Sequence, residues 1–156
     1  MCIDDFVLAR VLHVIAVMAW IGGVWFVTWV VLPAVEKNSP PDERLAAFHR
    51  IEAGFAPIAR LWVLLAGVSG LWMVWRADMW ARFADPRFWW MLAMVGLWLI
   101  FALMLFVLEP LFLHRRMARS NYPAADFARL KIMHQVLSLA GVVTVLGAVG
   151  GSHGLF

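Results

Sequence analysis

The chain has 156 residues, 64% of them hydrophobic and only 15% charged, with a formal net charge of +3. Soluble domains carry roughly 45–50% apolar and 25% charged residues, so this composition excludes an ordinary soluble domain and points to an integral membrane protein in contact with a lipid bilayer. The sequence pI near 9.8 does not imply a nucleic-acid partner, because the basic residues cluster in short loops beside hydrophobic runs, where they report topology.

The N-terminal stretch Met1 to Asp5 is acidic and lacks the positive n-region of a cleaved signal peptide, so the first hydrophobic run is expected to be retained as a span. Cys2 is the only cysteine and cannot form an intramolecular disulfide. The first run extends from Phe6 to Leu32 and is expected to stop at Pro33; about 20 apolar residues suffice to cross a bilayer as a helix. His13 sits inside it, and an ionisable side chain at that depth is a functional candidate by default. Arg10, His13, Val17 and Trp20 share one helical face by spacing, while Ala19 and Gly23 form a small-residue face. The loop Glu36 to Arg44, with Ser39-Pro40-Pro41-Asp42 as breaker, leads to the second run, about 48–75. There Pro57 is expected to kink the helix, Arg60 lies inside the span, and Ala66 and Gly70 repeat the small-residue spacing. Trp72, Trp75 and Trp80 mark an interface.

A loop of alternating charge (Arg76, Asp78, Arg82, Asp85, Arg87) precedes the third run, about 88–113, which carries Met91 and Met94 and ends near Glu109-Pro110. The most basic loop follows, with His114, Arg115, Arg116 and Arg119. The fourth run, about 130–149, holds His134, and Gly147 and Gly151 complete a GxxxG pattern. The expected fold is all-α, a single-domain antiparallel bundle of four membrane helices. Lys37, Arg44, Arg50, Arg115, Arg116, Arg119, Arg129 and Lys131 fall on the side of loops one and three, against Arg10, Arg76, Arg82 and Arg87 on the other. That asymmetry is expected to put loops one and three in the cytoplasm and both termini on the outer side of the membrane.

This topology groups His13, Met73, Met79, Met91, Met94 and His153 at one end, and His49, His114 and His134 at the other, with Arg60 deeper. Two cofactor readings are open. Haem iron takes axial histidine and methionine, with His13 and Met94 as the favoured pair, His134 kept for the opposite end, and Arg10 and Arg60 as propionate or anion partners. Copper suits thioether and imidazole ligands, here His13, Met91, Met94 and His153. A histidine at a span end is as often interfacial, and methionines in membrane helices are mostly packing residues. A third reading is a non-catalytic membrane subunit. Small-residue faces would serve packing within the bundle or in a homo-oligomer. No triad, CxxC, HExxH or phosphate loop is present, so an enzymatic role would be that of a membrane oxidoreductase.

The stretch Leu12-His13-Val14-Ile15-Ala16-Val17-Met18-Ala19-Trp20-Ile21-Gly22-Gly23, followed by Leu32-Pro33, resembles the first helix of HemJ-type protoporphyrinogen oxidases and of the CopD-type copper-resistance membrane domain. Gly70-Leu71-Trp72 is similar to the HemJ pattern, and Arg129-Leu130 through Leu137 to Gly147 resembles the last helix of either group. The HemJ resemblance implies haem b held by the first-helix histidine, His13, and redox chemistry on a quinone or porphyrinogen. A lysine early in the third helix belongs to that pattern; the matching position here falls near Met94, and the third span has no lysine. The CopD resemblance implies copper uptake.

Overall fold

The computed structural model describes residues 4–113 and 120–155, with the backbone alone over 110–113. Cys2 and the basic stretch His114, Arg115, Arg116 and Arg119 lie outside the described residues. Four helices are long and apolar enough to cross a membrane: Asp5–Asn38, Arg44–Arg76, Pro86–Glu109 and Pro123–Ser152. No strand occurs among the described residues. The protein is an all-α membrane bundle. The first helix packs along the second and the third along the fourth, and the second also meets the third and fourth. Residues 4 and 155 share one end, here the terminal end; the first and third loops mark the opposite, loop end.

Local chemistry sets several of the helix starts. Asp4 caps the first, its carboxylate accepting from the backbone N–H of Phe6 at 2.9 Å and of Val7 at 3.4 Å, which satisfies donors that have no partner inside the helix. Pro123 opens the fourth at a position where its missing N–H costs nothing. Asp85 caps the short turn Pro86–Phe88 by accepting from Arg87 N–H.

Pro33 does not end the first helix. The five residues Val27–Val31 widen into a π-helical turn, in which Leu32 N–H reaches Val27 O, and α-helix resumes over Leu32–Asn38. A proline lacks the N–H and crowds the preceding turn, and a wide turn just before it eases the crowding. Pro57 likewise sits within an unbroken helix. The helices also outrun the hydrophobic stretches. The second begins at Arg44 and the fourth at Pro123, because amphipathic turns at the loop end remain helical beyond the apolar core.

The interior is narrow. Ala16, Trp20, Val24, Val63, Ala66, Leu97 and Phe101 form a central cluster, and Val27, Leu32, Val35, Leu45, Phe48, Phe127 and Leu130 a second one at the loop end. Val14, Met18, Leu61, Val68 and Leu146 face outward, as lipid-facing side chains should. Without a hydrophobic drive between helices in lipid, close approach depends on small residues. A Cβ on Gly67 would stand 2.5 Å from the Trp98 ring, one on Gly23 2.6 Å from Phe55, and one on Gly147 2.5 Å from Trp89. Gly151 closes in the same way on the Trp90 indole. The GxxxG seam is thus filled from within the chain, by Trp89 and Trp90.

Candidate functional site

His13 lies on the buried face of the first helix, in line with Ala9, Ala16 and Trp20. Its Nδ1 is 2.9 Å from Ala66 O and 3.2 Å from Ser69 Oγ, both on the second helix. A carbonyl only accepts, so Nδ1 carries the proton and donates it. Ser69 directs its own hydrogen to Leu65 O, which leaves the hydroxyl oxygen free to accept from the imidazole as well. In the neutral ring this leaves Nε2 with its lone pair, and it has no hydrogen-bond partner among the described residues. The ring rests on Gly70, where a Cβ would come within 3.0 Å of Cε1. The spacing Ala66-x-x-x-Gly70 thus provides a notch for an imidazole.

Below His13, two helical turns along the same face, Trp20 meets Phe101 edge-on at 5.1 Å between centroids. The indole Nε1 of Trp20 is buried and unpartnered. Trp98 donates to Val63 O at 2.8 Å and covers Gly67. One turn outward from Trp98 is Met94, and one turn outward from Val63 and Gly67 are Ala66 and Gly70. Met94 therefore shares the depth of His13 by register. It is half-buried, while Met91, further out, is buried. His153 is exposed at the rim and donates from Nδ1 to Val149 O of its own helix at 2.8 Å.

Arg10, predicted to share the face of His13, instead points outward. It is exposed, in a hollow lined by Val7, Val11, Val14 and Ile15. His134 belongs to the other end: Thr28 Oγ1 reaches its backbone carbonyl at 3.4 Å. Thr28 is 15 residues beyond His13 on the first helix, a rise of about 22 Å. His13 and His134 do not form one centre. The His134 Nδ1 donates to Leu130 O at 3.1 Å, and its ring stands edge-on to Phe48. His49, on the other side of Phe48, pairs with Glu52 at 2.9 Å. No three of His, Cys, Asp and Glu converge on a metal-sized space among the described residues.

Arg60 is not a free cation. Its Nη2 lies 3.1 Å from Glu109 Oε1, and its Nε donates to Leu105 O at 3.0 Å. The carbonyl belongs to the π-helical stretch Met104–Leu113. Sequence reasoning found Arg60 but not its partner, since Glu109 reads as the polar end of the third span. It also missed Ser69, although a serine within the small-residue stripe Ala66 to Gly70 was the available signal. Thr28 and Ser138, both buried, were missed as well; Ser138 accepts from Trp29 Nε1 at 3.3 Å. Compared with known proteins, the chain matches no family model, no curated protein and no solved structure.

Proposed function

We propose that this chain is a membrane redox protein that holds haem b through His13 and exchanges electrons with a quinone or a porphyrinogen-type substrate. The observation that carries the reading is the fixed tautomer of His13. A histidine that ligates a metal nearly always donates its other ring N–H to a carbonyl or carboxylate, which orients the ring and raises its basicity. Ala66 O and Ser69 Oγ do this for Nδ1, and the Nε2 lone pair has no competing donor. The donor chemistry fits the group: a basic imidazole nitrogen, with a thioether at the same depth on Met94, in apolar surroundings suits haem iron. His13 and Met94 would hold it. Bound haem would supply one-electron chemistry. The chain's own part is to fix the imidazole and to close the interior toward the loop end with Trp20, Phe101 and Trp98. Arg60, committed to Glu109, is left out of this site.

The same donors favour copper as the second reading, with Met91, Met94 and His153 beside His13, since thioether and imidazole suit Cu(I). In either case loops one and three would lie in the cytoplasm of a bacterial inner membrane, with the termini periplasmic.

The test is an absorption spectrum of protein purified in detergent after expression with added haem, together with metal analysis. The haem reading expects a Soret band in the wild type that is lost in His13→Ala and retained in His134→Ala. A wild-type spectrum without a Soret band rejects it. Cu(I) bound by the wild type and lost in the Met91→Leu/Met94→Leu double variant would establish the copper reading in its place. Neither group bound would point to the non-catalytic subunit.

A further inference from the structure

Arg10 is the only charged side chain between Asp5 and Glu36. It is exposed on the outward side of the first helix and forms no ion pair or hydrogen bond among the described residues. The two nearest carboxylates on its helix are committed elsewhere. Asp4 accepts from the N–H groups of Phe6 and Val7, and Asp5 pairs with Arg76 at 3.1 Å. Beside Arg10 lies a shallow, open hollow on the outer face of this one helix, lined otherwise by the apolar side chains of Val7, Val11, Val14 and Ile15. An uncompensated cation beside a hydrocarbon wall, about one and a half turns into a membrane helix, matches one kind of neighbour: an acidic head on an apolar chain.

We propose that this hollow is a binding site for an anionic phospholipid, with its phosphate on Arg10 and an acyl chain along Val7, Val11 and Val14. A zwitterionic lipid brings its own cation to the guanidinium and gains less. The alternative is that Arg10 extends its charge into bulk water while its stem covers the valines, as long basic side chains do near helix ends. The site is separate from haem or copper at His13, since Arg10 and its valines are exposed toward lipid while the His13 ring turns to the second helix.

The experiment reconstitutes the full chain into nanodiscs of equal parts phosphatidylcholine and phosphatidylglycerol. Lipids retained after transfer to mild detergent are then counted by native mass spectrometry. The wild type is expected to retain phosphatidylglycerol in preference to phosphatidylcholine. Arg10→Gln should cut that retention about fivefold, the effect of one basic residue at a lipid surface. Arg82→Gln, which removes an arginine of the second loop, in the short helix Trp80–Ala84, should leave it unchanged. Arg10 makes no hydrogen bond or ion pair among the described residues that the substitution would break, and the wild-type preference needs no variant at all. Equal retention of the two lipids by the wild type, or unchanged phosphatidylglycerol retention in Arg10→Gln, overturns the proposal.

Discussion

The imidazole of His13 lies so close to Gly70 that a methyl group on that glycine would stand 3.0 Å from Cε1 and 3.3 Å from Nδ1. Gly70→Ala should therefore push the ring by a few tenths of an ångström and lengthen its bonds to Ala66 and Ser69. The expected strain is about 1 kcal/mol, the worth of one hydrogen bond, against a helix-propensity gain of about 0.5–1 kcal/mol, so Gly70→Ala should fall well short of the gain at an open glycine such as Gly22, and thermal unfolding in detergent reads the difference. Gly70→Val should cost more and, if His13 binds haem, broaden or abolish the Soret band. Gly70→Ala as stabilising as Gly22→Ala, or an unshifted curve for Gly70→Val, would mean that the notch is roomier than the structure indicates.

Ser69→Ala separates the two acceptors of His13. Ala66 O still takes the Nδ1 proton, so the tautomer survives and the loss should be below about 1 kcal/mol. His13→Leu removes the ring altogether and leaves Ser69 with only its intrahelical bonds. Its stability should stay near that of the wild type, because an apolar replacement of similar volume also removes a polar group from the interior. A fold that collapses in His13→Leu would assign the histidine a structural role.

Glu109 and Arg60 predict the opposite pattern. The Arg60 side chain is 33% exposed and that of Glu109 10%, and removing one partner leaves the other charge facing hydrocarbon. Glu109→Leu should destabilise the bundle by roughly 3 kcal/mol. The double variant Arg60→Leu/Glu109→Leu should recover much of that loss, because neither charge of the pair is left without the other. If the double variant is no more stable than the single one, the pair has a role beyond mutual neutralisation.

The hydropathy of the chain announces four spans and an all-α bundle, because the requirement that backbone groups be satisfied within lipid leaves few alternatives. Local chemistry was less transparent. Pro33 reads as a stop, since a wide π turn has no sequence signature that distinguishes it from the run it interrupts. Gly147 and Gly151 read equally as a seam between subunits or within the bundle, and only the positions of Trp89 and Trp90 decide the matter. Arg60 and Glu109 are 49 residues apart, and no periodicity links groups on different helices. His13 stood out because its charge state is costly at that depth; its partners Ala66 and Ser69 did not, because small residues in a membrane helix read as packing.

The glycines divide into two classes. A Cβ on Gly22, Gly54 or Gly96 meets nothing within 4 Å, whereas one on Gly151 would overlap the Trp90 indole. Gly22→Ala should raise stability by about 0.5–1 kcal/mol through helix propensity alone. Gly151→Ala should lower stability and change the emission of Trp90, since the indole must move. Equal effects at the two sites would contradict the placement of Trp90 against the fourth helix.

Asp85 offers a pH test in the second loop. The bonds from the Arg87 side chain and backbone hold its carboxyl below the usual aspartate range. A carboxylate depressed in the folded state contributes stability above its unfolded pKa, near 3.8, and loses that contribution as pH falls through the lower folded value. Amide exchange at Arg87 should therefore accelerate only in acid below that unfolded value, and Asp85→Asn should remove the acid-dependent step. Acid-dependent exchange that persists in Asp85→Asn would place the sensitive group elsewhere.

The π turn at Val27–Val31 also acts as a phase adjuster. Each residue of a regular helix advances the side-chain direction by about 100°, and the wider turn advances it less. Across those five residues the lag re-aims Leu32 and Val35 at Phe127 and Leu130, while Trp20 and Val24 upstream keep their aim at Phe101 and Val63. One helix thereby serves both core clusters. The count of residues in this turn thus matters as much as their identity: deleting one should restore a regular α-helix with Leu32 and Val35 still facing Phe127 and Leu130, because five residues at the smaller advance sweep about as far as four at 100°.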